Sequence, residues 1–325
     1  MARFPTVADV LTASQRLRGI ALHTPLEASP TLAQESGSAE VRLKLELMQP
    51  TGAFKIRGAF NKVALIAAEE PDAQLVTASS GNHGIAVASA AARHGMRLTV
   101  LVPASVSPAK LERLRALESD QCVVEVFGRE YDDVEHEARR RQEAGIATYV
   151  PPYSDPDVIA GQATVAVEVL EDWPKCDAMV VPIGGGGLIA GIGLWAKAVS
   201  PGLRLVGVQP NASPPMYAYF ESGSTKPMPI APTLADGVAG NIERDSITWR
   251  MCKRLVDEVV VVDEQQISEG MVWAAGVHQL VIEGSAALPI AALRARLGGL
   301  SGRRVAAVLT GRNVDLATLR SALDA

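Results

Sequence analysis

The most informative stretch of this chain, residues 49–59, reads Gln49-Pro50-Thr51-Gly52-Ala53-Phe54-Lys55-Ile56-Arg57-Gly58-Ala59. It places Lys55 behind a Pro-Thr-Gly turn and beside an aromatic ring, between the apolar runs 41–47 and 59–67. A lysine that is partly desolvated there has a lowered pKa, and the free amine is the form that reacts with carbonyl groups. The alternative is a lysine that extends its ammonium group from a helix start into water. The rest of the chain decides between the two.

Length and composition exclude several classes of protein. The 325 residues are enough for two domains or one large one, and 48% hydrophobic residues with a net charge of -5 fit a globular enzyme rather than a nucleic-acid or membrane-surface binder. The three cysteines form no CxxC pair, and the N-terminus lacks an apolar signal segment. We therefore expect a cytoplasmic protein with neither a nucleic-acid nor a membrane partner.

Short β-branched runs alternate with longer alanine-, leucine- and charge-rich segments, which is typical of βα units on a parallel sheet. The pattern predicts strands at 41–47, 74–78, 97–102, 121–126, 178–183, 204–208, 258–262 and 305–309. It predicts helices at 7–17, 54–67, 84–94, 108–117, 131–143, 159–171, 188–198, 264–278 and 286–297. Residues 145–157 are interpreted as a crossing loop and 210–232 as an irregular segment. The arginine run 139–141 is interpreted as the solvated face of a helix, with an anion site as the alternative.

Two glycine-containing loops follow predicted strands. The first is Gly184-Gly185-Gly186-Gly187-Leu188, whose backbone N–H groups at a helix start would bind phosphate. It matches the loose dinucleotide pattern, but the next strand ends at Gln209 without the carboxylate that holds a ribose. A small phosphate ester therefore fits better than a dinucleotide, although a dehydrogenase remains the alternative. The charge-free segment between Asp177 and Lys197 is interpreted as strand, loop and helix, not as a membrane span.

The second loop reads Ser79-Ser80-Gly81-Asn82-His83-Gly84 and precedes an alanine-rich segment. Two hydroxyls, an amide and an imidazole beside a helix N-terminus suit a carboxylate ligand. An ordinary capped turn is the alternative interpretation, since serine and asparagine are common in turns.

These two loops, the Lys55 stretch and the segment Leu309-Thr310-Gly311-Arg312-Asn313-Val314-Asp315 together resemble the serine/threonine dehydratase family. The match runs from about residue 20 to 319 in the family's motif order. The resemblance implies a pyridoxal-phosphate (PLP) enzyme of the tryptophan-synthase-β fold (fold type II), an α/β protein with two open, twisted, mainly parallel sheets flanked by helices. It divides the chain into a large PLP-binding domain (1–48 plus 147–325) and a small mobile domain (49–146), with the cofactor between them.

Site roles follow from the resemblance, position by position. Lys55 would form the imine with the cofactor and act as the base at Cα, and Phe54 would pack on the pyridine ring. Asn82 would bond the 3-hydroxyl, and Gly184, Gly185, Gly186, Gly187 and Leu188 would hold the phosphate. Thr310 would face the pyridine nitrogen. The substrate would meet Ser79, Ser80, Asn82, His83 and Asp236, with Ser80 as a second catalytic residue.

The chain departs from the family pattern at three places. Arg312 replaces a second glycine, and no arginine like that of mammalian-type serine racemases occurs near residues 132–135. Gln209 and Pro215 occupy positions where metal-dependent members carry carboxylates. Divalent metals need several oxygen anions, so no metal site is predicted.

A neutral partner such as Thr310 gives a weaker electron sink than an aspartate would, which favours β-elimination over amino-group transfer. The expected reaction converts a β-hydroxy amino acid, L-threonine or L-serine first, to a 2-oxo acid and ammonia. Serine racemisation, suggested by Ser80, and threo-3-hydroxyaspartate dehydration are alternatives. The latter ranks lower because no extra cation for a second carboxylate is evident. A β-replacement transferase is a further alternative, but that branch resembles Thr-Ser-Gly-Asn-Thr-Gly, where this chain has His83. We expect a homodimer or homotetramer.

Overall fold

The computed structural model describes residues 3–324, which form ten strands and thirteen α-helices. The strands are β1 (Leu26–Ala28), β2 (Glu40–Lys44), β3 (Gln74–Ala78), β4 (Arg97–Val102), β5 (Cys122–Val126), β6 (Thr148–Tyr149), β7 (Ala178–Pro182), β8 (Arg204–Pro210), β9 (Glu258–Val262) and β10 (Arg304–Val308). The first helices are α1 (Val7–Arg16), α2 (Pro30–Ser36), α3 (Lys55–Glu69), α4 (Asn82–His94), α5 (Pro108–Arg115), α6 (Tyr131–Glu143) and α7 (Pro156–Asp172). The others are α8 (Gly187–Val199), α9 (Pro215–Ser222), α10 (Ile247–Leu255), α11 (Glu264–His278), α12 (Gly284–Arg294) and α13 (Leu316–Asp324).

The strands form two sheets. The larger has six strands in the order β1-β2-β10-β7-β8-β9, and the smaller has four in the order β5-β4-β3-β6. All pairings are parallel except that of β1 with β2. The predicted α/β fold with two mainly parallel sheets is therefore confirmed. No helix within residues 3–324 is long and apolar enough to cross a membrane.

The larger sheet is covered on both faces, which is why its strands read as continuous apolar runs. Along β7, Ala178 and Val180 face a core built with α11 and α12. The alternate residues Met179 and Val181 face a second core built with α7, α8 and α10. The charge-free segment 178–196 is thus one buried strand and one buried helix joined by the glycine loop, as the sequence predicts.

Every predicted strand and helix is present, with ends shifted by a few residues, but six short elements were not foreseen. These are β1, β6, α2, α9, α10 and α13. The prediction that 210–232 is irregular is wrong at α9, because Pro215 occupies the first helical turn, where a missing N–H costs nothing. The predicted strand 41–47 ends at Lys44, and a single 3₁₀ turn follows at Glu46–Met48.

The division into two domains stays a prediction, and the smaller sheet does not end at the predicted boundary. Strand β6 pairs with β3, so the smaller sheet extends past the expected boundary at residue 146. Helix α3 packs on both α4 and α7, and so contacts elements beside each sheet. The segment that carries Lys55 therefore lies where the two halves of the chain meet.

Candidate active site

Lys55 is the first residue of α3, and its surroundings lower its basicity. Its Nζ donates to the carbonyl oxygen of Pro152 at 2.8 Å and lies 5.3 Å from the centre of the Phe54 ring. Burial lowers the pKa of Lys55 to about 8, although the nearby Glu283 carboxylate opposes the shift. Roughly a tenth of this amine is therefore unprotonated at pH 7, far more than in an ordinary lysine, and the free amine is the form that the chemistry at Cα requires.

A buried ionic cluster fixes α3 two residues beyond the lysine. The guanidinium of Arg57, 1% exposed, bonds Glu46 at 2.7 Å and Glu168 at 2.6 Å. Lys44, fully buried, donates to Glu168 at 2.5 Å. Two cations balance two carboxylates, so no charge is left unpaired in the interior. The turn that delivers Lys55 is thereby attached to β2 and α7.

Residues 52–54 are paired with residues 310–312 from the far end of the chain. The N–H of Phe54 donates to the carbonyl oxygen of Thr310 at 3.0 Å, and the N–H of Arg312 donates to Gly52 at 2.9 Å. The Thr310 hydroxyl is buried and has no hydrogen-bond partner among the described residues. Arg312 does not have a positive φ, so the backbone here accepts a side chain in place of the family's glycine.

The tetraglycine loop presents backbone donors at the start of α8. Within the described residues, none of the N–H groups of Gly184–Leu188 donates to a protein acceptor. Gly186 has a φ of 86°, the left-handed region that favours glycine. On the other side of the loop, the carbonyl oxygen of Gly185 accepts from the Thr248 hydroxyl at 2.7 Å. This anchoring from α10 leaves the N–H groups free to face an anion.

The serine-asparagine loop presents a second set of free backbone donors. The Ser79 hydroxyl accepts from the N–H groups of Gly81 and Gly84 at 3.2 and 2.9 Å, so it shapes the loop. The N–H groups of Ser80, Asn82 and His83 donate to no acceptor in residues 3–324, and they lie at the N-terminus of α4. Three free donors at a positive helix end suit a carboxylate.

The His83 ring has a different partner from the one expected. Its Nε2 lies 3.0 Å from the carbonyl oxygen of Val150, and burial lowers its pKa to about 3. A neutral ring that donates to Val150 cannot also donate from Nδ1, so the backbone N–H is what His83 offers a substrate. The Ser79 hydroxyl is likewise committed to its own loop.

Asn82 is held by two residues for which the sequence predicted no role. Its Nδ2 donates to the Glu283 carboxylate at 2.9 and 3.2 Å, and its Oδ1 accepts from Asn313 at 2.7 Å. Glu283 lies just before α12 and is 6% exposed. Burial raises the pKa of Glu283 to about 7, and the negative charge of Asp236 adds to this.

Asp236 lies in a short 3₁₀ turn and forms an ion pair with Lys110 of α5. This contact joins α5, which packs on the smaller sheet, to a loop beside α12. Gln209 is buried and bonds the Ile183 carbonyl at 3.1 Å and the Tyr217 N–H at 2.9 Å, so its role is structural. Among residues 3–324, no group of three histidine, cysteine or carboxylate side chains is placed to hold a metal ion.

Comparison with known proteins identifies the family. A family model described as "Pyridoxal-phosphate dependent enzyme" matches residues 18–311. The chain belongs to this family. An L-threonine ammonia-lyase of Thermotoga maritima is 37% identical over 96% of this chain and 76% of its own length. An L-threo-3-hydroxyaspartate ammonia-lyase of a Pseudomonas species is 35% identical over 97% of both chains. The structure of maize serine racemase superposes with a TM-score of 0.90 at 29% identity, covering 99% of this chain and 98% of that one.

The chain is accordingly a PLP-dependent ammonia-lyase of the serine/threonine dehydratase family, and its chemistry is β-elimination. Its own residues fit the cofactor. The free N–H groups of Gly184–Leu188 suit the phosphate, the partnerless Thr310 hydroxyl suits a pyridine nitrogen, and Lys55 is an amine of lowered pKa. Without a bound cofactor, these buried polar groups would have no evident reason to lack protein partners.

The sequence predicted no role for several residues of this lyase site. They are Glu283, which holds Asn82, Tyr153 beneath the glycine loop, and Thr248, which anchors it. Asn313, which also holds Asn82, stands in a recognised motif, but its role there was not predicted. The sequence does carry a signal for Glu283, because it is a lone carboxylate in an apolar stretch before a helix of small residues.

Proposed function

We propose that this lyase dehydrates and deaminates L-threonine and L-serine to the corresponding 2-oxo acid and ammonia. The observation that carries the proposal is the pairing of residues 52–54 with 310–312, which joins an amine of lowered pKa to a neutral hydroxyl. The base and the partner of the ring nitrogen are thus fixed relative to each other. A neutral partner favours elimination, as argued from the sequence.

In this proposal the free N–H groups of Ser80, Asn82 and His83 bind the substrate carboxylate at the start of α4. Bound PLP supplies the electron sink for the charge that develops at Cα. Lys55, whose pKa is lowered by burial, removes the Cα proton as general base. The β-hydroxyl then leaves as water, and hydrolysis of the remaining enamine yields the 2-oxo acid and ammonia.

The acidic residues near the site favour a substrate with a small neutral side chain over one with a second carboxylate. Asp236, Glu283 and Asp315 are acidic groups near the site, and Lys110 is already paired with Asp236. An anionic substrate side chain would have to compete for that lysine. Threonine and serine therefore rank above threo-3-hydroxyaspartate, the substrate in the name of the Pseudomonas relative.

Racemisation of serine is the second candidate. Ser80 is half-buried in the loop that would bind the carboxylate, and the similarity to maize serine racemase extends over 99% of this chain. Its hydroxyl could return a proton to Cα from the side opposite Lys55. Incubation of L-serine with the enzyme in D₂O should then give deuterated D-serine, and its absence would reject this candidate.

The main experiment measures ammonia and 2-oxo acid from L-threonine, L-serine and L-threo-3-hydroxyaspartate, with and without EDTA. We expect stoichiometric products, with the first two preferred and no loss of rate in EDTA. Lys55→Ala protein is the control for non-enzymatic release. Formation of a β-substituted amino acid in place of ammonia and 2-oxo acid, when a thiol or sulfide is added, would instead identify a β-replacement transferase.

A further inference from the structure

Tyr153 lies directly beneath the tetraglycine loop. A Cβ atom added at Gly185 would overlap the Tyr153 ring, and one added at Gly187 would lie 2.9 Å from the Tyr153 carbonyl oxygen. Loop and tyrosine are therefore in van der Waals contact with no room between them. The preceding residue, Pro152, accepts the hydrogen bond from Lys55. The position of Tyr153 consequently sets where the loop's N–H groups point.

Tyr153 is in turn held by Glu243, in the loop before α10. The Glu243 N–H donates to the Tyr153 phenol oxygen at 3.2 Å, and the Glu243 carbonyl oxygen accepts from the Trp249 indole at 2.7 Å. Both backbone groups of Glu243 are thus committed to aromatic side chains. Any shift of this residue would be passed to Tyr153.

The Glu243 side chain reaches across to the other half of the chain. Its carboxyl oxygen accepts a hydrogen bond from Arg139 of α6, which also bonds Glu135 at 2.8 Å. Helix α6 packs on β3 and β6 of the smaller sheet, whereas Glu243 lies beside α10 of the larger one. The predicted solvated arginine face therefore supplies one residue, Arg139, to a contact between the two halves of the molecule.

We propose that Arg139 and Glu243 are positioning residues for the cofactor phosphate, acting on the tetraglycine loop through Tyr153. Neither residue would touch the cofactor. The proposal rests on the assignment of Gly184–Leu188 to the phosphate. Arg139 and Glu243 both lie outside the family's motifs.

The surroundings of Glu243 add a pH dependence. The groups that face it are Glu135, Arg139 and Tyr131 from α6, Tyr149 from β6 and Tyr153, while Arg244 and Asp245 flank it in its own loop. Burial, together with the Glu135 carboxylate, raises the pKa of Glu243 to about 8. At neutral pH the Glu243 side chain is therefore largely protonated in its buried position next to Glu135 and Arg139. Above pH 8 it ionises at a site where burial opposes the charge, and the contact should loosen.

The test compares two probes on cofactor-free protein, pyridoxal 5'-phosphate and pyridoxal, which lacks the phosphate. Tryptophan fluorescence quenching gives both dissociation constants. The dissociation constant of pyridoxal divided by that of pyridoxal 5'-phosphate measures how much the phosphate contributes to binding. We expect Arg139→Gln and Tyr153→Phe to weaken binding of pyridoxal 5'-phosphate roughly 10-fold while pyridoxal binding is unchanged. Arg140→Gln is the matched control, because Arg140 is the next residue on α6 and pairs with Glu137 of the same helix.

Glu243→Gln keeps the shape of the protonated side chain. At pH 7 this variant should have the same ratio of dissociation constants as wild type. Between pH 7 and 9 the wild-type ratio should fall, and the ratio for the variant should stay constant. The proposal is overturned if Arg139→Gln weakens both probes equally, since that reports a general structural role, or if it weakens neither. If wild-type protein binds the two probes equally well, the phosphate assignment of Gly184–Leu188 is itself overturned, whatever Arg139 does.

Discussion

The Glu283 carboxylate accepts hydrogen bonds from the Asn82 amide, with its two oxygens 2.9 and 3.2 Å from Nδ2. One N–H can serve both oxygens, which leaves the second N–H of Asn82 for another acceptor. Asn313 donates to the amide oxygen and so fixes which way the group points. Glu283, which lies outside the sequence motifs, thereby orients the Asn82 amide and determines which N–H group faces the site.

Glu283→Gln should change the pH dependence of stability. Because burial raises the pKa of Glu283 from 4.5 to about 7, the folded state favours the protonated form. This residue's stabilisation is complete below about pH 4.5 and is lost as the pH rises through 7. Thermal unfolding of cofactor-free protein between pH 4.5 and 8 should show the variant losing roughly 3 kcal/mol less than wild type. Equal slopes in both proteins would contradict the burial of a titrating carboxyl, and Glu171→Gln, at an exposed residue, is the control.

Thr310→Val should separate function from folding. The buried hydroxyl has no partner within the described residues, so replacing it with a methyl group leaves no protein donor or acceptor unsatisfied. We expect an unchanged or slightly higher melting temperature for the cofactor-free protein, with turnover lowered at least about 10-fold. Calorimetry and ammonia release measure the two effects on the same preparation. A destabilised variant would mean that the hydroxyl has an internal partner.

Gly161→Ala should separate α3 from α7. A Cβ at this position would lie 2.5 Å from the Arg57 carbonyl oxygen, and backbone cannot give way cheaply. The expected cost is about 1–3 kcal/mol of unfolding free energy, with a reduced kcat because Lys55 moves with α3. The control is Gly276→Ala in α11, where nothing lies within 4 Å. There alanine should stabilise by up to about 1 kcal/mol, as measured by urea denaturation.

Lys55→Ala should abolish turnover and the covalent attachment of the cofactor together. Borohydride treatment followed by mass spectrometry should show a pyridoxyl adduct on wild-type protein and none on the variant. Lys175→Ala, at an exposed residue, should keep both properties. Turnover that survives in Lys55→Ala would sink the assignment of this lysine as the base.

Local patterns were enough to predict most of the fold. The loops at Ser79–Gly84 and Gly184–Leu188 follow buried strands and begin helices, and strand, turn and helix each leave a signal in neighbouring residues. The two-residue strand β6 is too short for a periodicity to be seen, whereas helix α10, with nine residues, was missed although the eight-residue α5 was predicted. Helix α10 supplies Thr248 and Cys252 to the glycine loop, so its omission hid part of the support of the predicted phosphate site.

Partners distant in sequence could not be predicted in the same way. His83 looks like a substrate ligand in its motif, yet its ring bonds Val150, because β3 and the segment after β6 are neighbours only in the folded sheet. Arg139 looks like a solvated residue of a charged helix, yet Glu243 meets it from 104 residues away. Pairings of this kind depend on how the two sheets meet.

The pairing of Phe54 with Thr310 also sets an order of events during synthesis. The lysine leaves the ribosome early, but the segment that holds its turn is made only after 255 further residues. A nascent chain that stops short of Thr310 therefore carries the amine without the hydroxyl or the backbone partners of Gly52 and Phe54. We expect the complete cofactor site to form only after residue 312 has been made, and chains truncated before Thr310 to bind the cofactor poorly.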